Sequence, residues 1–298
     1  MRLGYIGLGK MGENMVKNLV DHDHEVVAHD VNDEPVQRVD DYGAEPADSP
    51  ESLVGSLEQR RVVWVMVPHQ VVGDVLEELS ELLDSGDLIV DGGNTKYKET
   101  EKHAEMLDEK GIDFLDIGVS GGPSGARNGA CMMAGGERSD FEHIEPVLED
   151  LNVEGGYGYF GPTPSGHFVK MVHNGIEYGM MQAIAEGFDV MAESNLDLDL
   201  QEVARVYNNG AVIESSLMEW LKEGYGDRGN GLEDVSGRAN ESGEGRWTTE
   251  AADELDVPTD VIEDALDARL RSQESPNYQG QVITLLRHKF GGHSLDGA

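Results

Sequence analysis

The first half of the chain alternates short apolar segments with amphipathic ones, and this alternation restricts the fold more than any other feature. Segments such as GENMVKNLVDH and VVGDVLEELSELL predict helices. Six apolar, often β-branched segments between them predict strands: RLGYIGLG, HEVVAHD, RVVWVMVP, DLIVDGG, DFLDIGVSG and ACMMAGG. Strands that alternate with helices indicate an α/β fold with a doubly wound, mostly parallel sheet.

The second half has a different pattern. A Gly/Pro-rich stretch, GGYGYFGPTPSG at 155–166, is followed by a helical run from about His167 to Ser194 and by further helical segments. A chain of 298 residues is long enough for two domains. We therefore expect a dinucleotide-binding Rossmann-type domain over residues 1–162 and an all-α domain over residues 163–298.

The formal net charge is −37, from 59 acidic and 22 basic residues. The acids are spread through periodic segments, which predicts a folded protein adapted to concentrated salt, a halophilic surface. Such a surface repels nucleic acid and anionic membranes, so neither is expected as a partner. An acidic protein with a basic partner is the alternative, and the salt dependence of folding separates the two.

Several site classes are not predicted. No segment is apolar over the length of a membrane span and no signal peptide is evident, so a cytoplasmic protein is expected. Cys131 lies in the apolar run ACMMAGG, which favours a buried structural thiol over a nucleophile. No metal-ligand spacing is present, and no metal is predicted.

A glycine-rich turn follows the first predicted strand and opens a helix. Gly7 permits the tight turn, Gly9 lets the backbone approach a pyrophosphate, and Gly12 permits close helix packing. The helix N-terminus supplies free N–H groups for the phosphates. The predicted dinucleotide loop is Gly7, Leu8, Gly9, Lys10, Met11 and Gly12.

Asp30 ends the second predicted strand. At this position a carboxylate hydrogen-bonds the adenosine ribose and repels the 2′-phosphate of NADP. No basic residue follows until Arg38. The cofactor is therefore predicted to be NAD, the alternative being that Asp30 is a turn or cap residue.

The segment KMVHNGIEY places its polar residues at i, i+3, i+4, i+7 and i+8 of a helix, which is one face. Val172, Ile176 and Met180 mark a separate apolar face. A solvated polar face is the ordinary interpretation, but such a face in this chain would be rich in Asp and Glu. We interpret the polar stripe as an active-site face formed by Lys170, His173, Asn174, Glu177 and Tyr178.

Two further segments predict ligand contacts at the carboxyl edge of the sheet. Asn94 follows the fourth predicted strand in DGGNT, where ligands bind in such sheets. In GVSGGPSGARNGA, Ser120, Gly121 and Gly122 can present a hydroxyl and backbone N–H groups to a carboxylate. A glycine hinge or turn remains the alternative for Gly125 and Gly129.

The C-terminal segment LLRHKFGGHSLDGA gathers basic groups in a chain that otherwise has few. Arg287, His288, Lys289 and His293 suggest an anion site. A helix C-terminus stabilised by cations accounts for Arg287 to Lys289 but not for His293, which lies beyond the Gly pair.

The segments GLGKMGENMVKNL, DGGNT, GVSGG, GHFVKMVHNGIEYG, GRWT and FGGH occur in this order over nearly the whole chain. Together they resemble the decarboxylating 6-phosphogluconate dehydrogenases of the β-hydroxyacid dehydrogenase superfamily. KMVHNGIEY is the most specific of them. The chain lacks the second helical repeat of longer relatives and so resembles the short, NAD-type class.

The resemblance implies oxidative decarboxylation of 6-phosphogluconate to ribulose 5-phosphate, a step of gluconate utilisation in the oxidative pentose phosphate pathway. Lys170 is then the general base and later acid, and Glu177 protonates C1 of the enediol. Cofactor contacts are also implied for Val67, Pro68 and Asn94. The implied contacts to the substrate carboxylate and hydroxyls are Asn94, Ser120, Gly121, Gly122, His173 and Asn174, and those to its phosphate are Tyr178, Arg246, Thr248, Arg269, Arg287 and His293.

The same resemblance implies a homo-oligomer, dimer or tetramer, in which the tail carrying Arg287 and His293 completes the neighbouring subunit's site. Arg246 stands where many relatives have Lys, which keeps the charge and changes the contact geometry. Two other functions remain open: a β-hydroxyacid dehydrogenase acting on a small unphosphorylated substrate, and a non-catalytic dinucleotide-binding sensor.

Overall fold

The computed structural model describes residues 1–296, which form two compact units that divide between Met171 and Val172. The first unit contains the sheet. Its described strands are β1 (Arg2–Ile6), β2 (Glu25–His29), β3 (Glu45–Pro46), β4 (Val62–Val65), β5 (Leu88–Asp91), β6 (Asp113–Ser120), β7 (Ala130–Gly136) and β8 (Asn152–Tyr159). The domain division expected after residue 162 stays a prediction.

The strands form one sheet in the order β3-β2-β1-β4-β5-β6-β7-β8. Neighbouring strands are parallel except β6 and β7, which are antiparallel. This confirms the predicted α/β class. Two strands were not predicted: β3 has only two residues, and β8, with the sequence NVEGGYGY, is interrupted by glycine and lacks a continuous apolar run.

Helices of the first unit surround this sheet: α1 (Lys10–Asp21), α2 (Asp33–Asp40), α3 (Pro50–Gly55), α4 (Val72–Leu82), α5 (Tyr97–Asp108), α6 (Gly122–Asn128) and α7 (Arg138–Leu151). Both sheet faces carry fully buried side chains, which explains the uninterrupted apolar strands. The carboxyl ends of the parallel strands β1, β4, β5 and β6 meet at one edge. The segments predicted to bind ligands follow directly from these ends.

The second unit is helical in its described part, which confirms the predicted all-α region. Helix α8 (Ser165–Ala192) begins in the first unit and continues into the second. The later helices are α9 (Leu200–Tyr207), α10 (Ser216–Arg228), α11 (Glu244–Glu254), α12 (Asp260–Glu274) and α13 (Tyr278–Gly291). Within residues 1–296, no helix has the length and apolar character needed to span a membrane.

One expectation about the fold is wrong. Cys131 is exposed, not buried. It is the second residue of β7 and pairs with Ser120 at the end of β6, so it lies at the margin of the sheet. The apolar run around it is otherwise buried, and this run suggested burial for every member.

Candidate active site

The glycine-rich loop after β1 has the geometry expected of a dinucleotide cradle. Gly7 has a φ of +98°, and a Cβ on it would lie 2.3 Å from the Met66 carbonyl oxygen. A Cβ on Gly12 would lie 2.0 Å from the Gly7 carbonyl oxygen, so α1 can close on the loop only without a side chain there. A Cβ on Gly9 would meet nothing within 4 Å. The N-terminus of α1 is therefore open to a ligand at Gly9, which fits a pyrophosphate.

Asp30 contacts the same loop. Its Oδ2 accepts a hydrogen bond from the Leu8 N–H at 2.7 Å, and its Oδ1 accepts from the Asn32 N–H at 2.9 Å. Asp30 thus braces the turn after β2 and the dinucleotide loop together. The Asn32 side-chain amide also donates to Oδ1, at 3.0 Å. An ionised carboxylate has about four acceptor positions, so these three bonds leave one for a ribose hydroxyl.

The loop after β5 is fixed by a buried carboxylate. Asp91 accepts from the Thr95 hydroxyl at 2.7 Å and from the Gly93 N–H at 2.9 Å. Asn94, between these two donors, is half-buried at the carboxyl edge of the sheet. The sequence pattern singled out Asn94 but not Asp91 or Thr95, which shape its loop.

After β6 the chain turns through Gly121 and Gly122, with φ of +114° and +61°. This left-handed turn suits glycine at both positions and opens α6. Ser120, Gly121 and Gly122 therefore form a compact turn at the same sheet edge as Asn94. The turn is compatible with backbone and hydroxyl contacts to a carboxylate.

The start of α8, which carries Lys170, packs closely against β6 at two glycines. A Cβ on Gly118 of β6 would lie 2.2 Å from the Lys170 Cβ. A Cβ on Gly166 would lie 2.2 Å from the Asp116 carbonyl oxygen. The first turns of α8 therefore lie directly against the backbone of β6, which fixes the root of the Lys170 side chain.

A buried polar pair supports the same contact. The Asp116 carboxylate is fully buried and accepts from the His167 N–H in the first turn of α8 at 2.8 Å. Burial raises the pKa of Asp116. The His167 Nδ1 lies 2.8 Å from the Thr100 hydroxyl of α5. Sequence reasoning missed these three residues, because an isolated Asp within an apolar strand has no distinctive spacing.

In the second unit, three residues predicted to bind the phosphate converge. The Arg269 guanidinium carbon lies 3.4 Å from the centre of the Tyr178 ring. The Tyr178 hydroxyl accepts from the Ser242 N–H at 3.1 Å, and Arg287 Nη2 donates to the Ser242 hydroxyl at 3.0 Å. Residues far apart in sequence thus build one cationic cluster, which we call the arginine cluster: Tyr178, Ser242, Arg269 and Arg287.

The cluster buries positive charge. Arg269 and Arg287 are only 2% and 8% exposed. Burial lowers the pKa of both, that of Arg269 to about 10, so Arg269 remains cationic at neutral pH. Buried cations are costly unless an anion compensates them. The arginine cluster is therefore suited to an anionic ligand.

Two family models match most of the chain. The family model for the NAD binding domain of 6-phosphogluconate dehydrogenase matches residues 2–157, and the model for its C-terminal domain matches residues 166–288. The NAD(+)-dependent, decarboxylating 6-phosphogluconate dehydrogenase of Haloferax volcanii is 41% identical over 99% of this chain and 98% of that protein. The chain belongs to the 6-phosphogluconate dehydrogenase family.

Other relatives extend the comparison. YqeC of Bacillus subtilis is 45% identical over 99% of each chain. The Plasmodium falciparum 6-phosphogluconate dehydrogenase structure, described with NADP+ and with 6-phosphogluconate, has a TM-score of 0.80 at 28% identity and covers 97% of this chain and 70% of that one. A Mycobacterium tuberculosis 3-hydroxyisobutyrate dehydrogenase, 22% identical with a TM-score of 0.74, shares the fold. The family interpretation and a pyridine nucleotide cofactor are thereby confirmed.

The other residues expected to contact phosphate, Arg246, Thr248 and His293, have different partners. Arg246 is exposed and donates to Glu241 at 2.9 Å. Buried Thr248 donates to the Glu244 carbonyl oxygen at 2.8 Å. The His293 ring packs edge-on against Phe290, with ring centres 6.3 Å apart.

The expected exchange of the tail carrying Arg287 and His293 between subunits stays a prediction. Within one chain, Arg287 donates to the Ser242 hydroxyl. Arg287 lies within α13, before the helix ends at Gly291, and is therefore packed with the core of its unit. Gly292 and His293 follow the end of that helix.

The polar stripe on α8 is half-buried or buried, whereas Ile176 and Met180 are 54% and 43% exposed. The polar stripe is thus buried together with Met171 and Met181, while the side of the helix that bears Ile176 and Met180 is exposed. Burial of the polar side is the feature that a binding site requires.

Proposed function

We propose that the protein oxidatively decarboxylates 6-phospho-D-gluconate to D-ribulose 5-phosphate and carbon dioxide, with reduction of NAD. The observation that carries this proposal is the buried arginine cluster, whose Tyr178 lies on the helix that also bears Lys170 and Glu177. A phosphorylated sugar acid offers a phosphate for that cluster. An unphosphorylated hydroxy acid would leave the two buried arginines with only the partial compensation of nearby carboxylates such as Glu244.

Lys170 is the proposed general base. In its neutral form it takes the proton of the substrate 3-hydroxyl. A nicotinamide cofactor held by the glycine-rich loop would supply the hydride acceptor for C3. The resulting 3-keto acid loses carbon dioxide because its carbonyl accepts the electrons of the breaking bond. Protonated Lys170 then donates to that oxygen as the enediol forms. The close contact between Gly118 and Lys170 supports this role, since catalysis needs a fixed proton acceptor.

Glu177 is the proposed acid that protonates C1 of the enediol. It lies two turns after Lys170 on α8, and its Oε2 is 4.0 Å from the His173 Nδ1. Its side chain is 22% exposed, which leaves it accessible to a ligand. Two groups on one face of a helix, about two turns apart, can serve separate carbons of a small substrate.

The proposed contacts to substrate follow the chemistry of each group. Asn94, Ser120, Gly121 and Gly122 offer amide, hydroxyl and backbone donors for the carboxylate. His173 and Asn174 orient the hydroxyls. The proposed phosphate ligands are Tyr178, Arg246, Thr248, Arg269, Arg287 and His293.

NAD is the proposed cofactor, in preference to NADP. Asp30 accepts bonds at the end of β2 and places a negative charge where a 2′-phosphate would approach. The Haloferax volcanii relative is named as NAD(+)-dependent, whereas the Plasmodium falciparum structure is described with NADP+. The other proposed contacts are the loop from Gly7 to Gly12, Val67, Pro68 and Asn94.

We also propose a homo-oligomer in which the residues after α13, with His293, complete a neighbouring site. Mixing Lys170→Ala and His293→Ala subunits tests this. If the tail is exchanged, subunits inactive alone regain activity when reassembled together. Absence of recovery, with assembly demonstrated by gel filtration, would assign His293 to its own chain.

One assay tests the reaction itself. The protein is incubated with 6-phosphogluconate and NAD or NADP, and reduced cofactor and carbon dioxide are measured together. We expect one carbon dioxide per reduced cofactor. Reduced cofactor without carbon dioxide would favour the simple β-hydroxyacid dehydrogenase, and no turnover would favour a dinucleotide-binding sensor.

A further inference from the structure

Glu244, the first residue of α11, lies directly beside the polar stripe of α8. Its side chain is buried at 7% exposure, and its Oε1 accepts from Asn174 Nδ2 at 3.0 Å. No spacing in the sequence drew attention to it, since it is one of 59 acidic residues. A buried carboxylate is costly unless it is hydrogen-bonded, so the contact with Asn174 is a specific one.

The start of α11 is pressed against α8 at two points. A Cβ on Gly245 would lie 2.6 Å from the Tyr178 ring, and a Cβ on Gly175 would lie 2.6 Å from the Thr248 methyl carbon. These contacts leave little freedom for Glu244 to move away from Asn174. The bond between the two side chains is therefore fixed by packing as well as by charge.

The direction of this bond determines the next one. An ionised carboxylate only accepts, so the amide nitrogen of Asn174 must face Glu244. The amide oxygen of Asn174 then faces His173, whose Nδ1 lies 2.9 Å from it. An amide oxygen only accepts, so Nδ1 must carry a proton. A neutral His173 consequently has its lone pair on Nε2.

We propose that Glu244 is a positioning residue that sets the tautomer of His173 through the amide of Asn174. This deepens the proposed function, on which its catalytic meaning rests. The His173 side chain is 39% exposed, so its Nε2 is accessible to a ligand. A neutral ring in this tautomer accepts from a donor and repels a carboxylate oxygen. His173 therefore recognises a hydroxyl of the sugar acid.

A simpler role for Glu244 is that of a counter-charge to the two buried arginines. Glu244 also lowers the positive potential at Arg269 and Arg287, because its negative charge favours their protonated forms. If it were only a counter-charge, its removal would strengthen phosphate binding. If it sets the tautomer, its removal alters His173.

The informative variant is Glu244→Gln, which keeps the shape of the side chain. A glutamine can donate as well as accept, so the whole chain of bonds can reverse and Nε2 can carry the proton instead. Long-range proton–nitrogen NMR on protein labelled with ¹⁵N in histidine distinguishes the two tautomers. His173→Gln assigns the signal among the 10 histidines. The spectra are recorded at a pH where the ring is neutral.

We expect a single Nδ1–H tautomer in the wild type and a mixture in Glu244→Gln. We also expect kcat/KM for 6-phosphogluconate to fall about 3- to 10-fold, the difference between hydrogen bonds to charged and neutral groups. Tm should stay near the wild-type value. Glu250→Gln, an exposed change on the same helix, is the matched control and should alter none of these.

Asn174→Ala breaks the same chain of bonds in its middle. Adding Glu244→Gln to it should cause no further loss, because both changes act through one connection. An Nε2–H tautomer in the wild type would overturn the proposal. So would an unchanged tautomer in Glu244→Gln, particularly with a lower KM for the sugar acid. The NMR result needs no substrate, so failure of the proposed reaction would be recognised separately by absent turnover in the wild type.

Discussion

The residues predicted to bind ligands have different surroundings in the two units. In the first unit, Gly7, Gly12 and Gly118 bring backbone within contact distances that no side chain would permit. In the second unit, buried charged and aromatic side chains converge from separate helices, with Arg269 stacked on Tyr178. Close backbone approach at glycines shapes the predicted sites of the first unit, and buried charged side chains shape those of the second.

This contrast has an energetic consequence. The glycine-rich loop has few polar side chains to desolvate. It lowers stability mainly because glycine loses more conformational entropy on folding than other residues do. The arginine cluster carries buried cations whose desolvation is offset fully only when an anion binds. We therefore expect the first region to be sensitive to added volume and the second to be sensitive to lost charge.

The largest expected effect is at Lys170. Its Cβ packs against Gly118, and its amino group is the proposed general base. Lys170→Ala should lower kcat by about 10²- to 10⁴-fold, as is typical for loss of a general base. Lys102→Ala removes an exposed lysine paired with Glu99 and should leave kcat unchanged. Near-wild-type turnover of Lys170→Ala under steady-state assay would remove this residue from the mechanism.

The next effect tests lost charge in the arginine cluster. Arg287→Ala should raise KM for 6-phosphogluconate on the order of 10- to 100-fold, because a hydrogen bond to a charged group is lost. KM for NAD should change little. Arg205→Ala, which removes an exposed arginine paired with Glu202, is the control. Equal increases in both KM values would contradict a phosphate contact.

Added volume in the first region gives two different results at two glycines. Gly118→Ala should lower Tm and activity together, since overpacking typically costs about 1–3 kcal/mol. Gly9→Ala has open space for its Cβ and should leave Tm unchanged while raising KM for NAD. Thermal unfolding and steady-state kinetics on both variants measure this. A destabilised Gly9→Ala, or an unaffected Gly118→Ala, would show that the contrast between the regions is wrong.

The sequence predicts the first region better than the second for a physical reason. A turn that binds a dinucleotide needs glycines at fixed local spacing, and GLGKMG shows that spacing directly. Asp30 and Asn94 follow strands that are apparent from their apolar runs. The short β3 and glycine-rich β8 could not be predicted, because pairing with neighbouring strands stabilises them more than their own composition does.

The second region depends on contacts between distant segments. Tyr178 and Glu177 were evident from helical spacing, but Arg269 entered only through family resemblance. Ser242 and Glu244 were missed because their partners are 64 and 70 residues away. Local periodicity carries no information about such pairs. Burial of an individual charged residue is equally invisible in a chain with 59 acids.

A smaller effect is expected on the preference for NAD over NADP, which is proposed to depend on the charge of Asp30. Val31 is 91% exposed, so the double change Asp30→Asn with Val31→Arg can add a cation without crowding. The ratio of kcat/KM for NAD to that for NADP should fall on the order of tenfold or more. The substituted amide keeps one acceptor oxygen, so the loop bond to Leu8 can persist and Tm should change little. A wild-type preference for NADP would show that Asp30 does not hydrogen-bond the adenosine ribose hydroxyls.

The smallest expected effect concerns salt, and it separates surface charge from the buried cluster. The formal charge of −37 repels both itself and an anionic substrate at long range. The Debye length falls from about 10 Å at 0.1 M to about 3 Å at 1 M, so molar salt screens this repulsion. Contacts made by Arg269 and Arg287 are short and solvent-excluded, and they are screened much less.

We therefore expect Tm and kcat/KM for 6-phosphogluconate to rise a few degrees and a few-fold, respectively, from low to molar salt. Arg287→Ala should show the same rise in Tm, because its loss leaves the surface unchanged. Full stability and activity at low ionic strength would mean that the acidic surface is not adapted to salt, and a fall in kcat/KM at molar salt would mean that the phosphate contacts are exposed rather than buried.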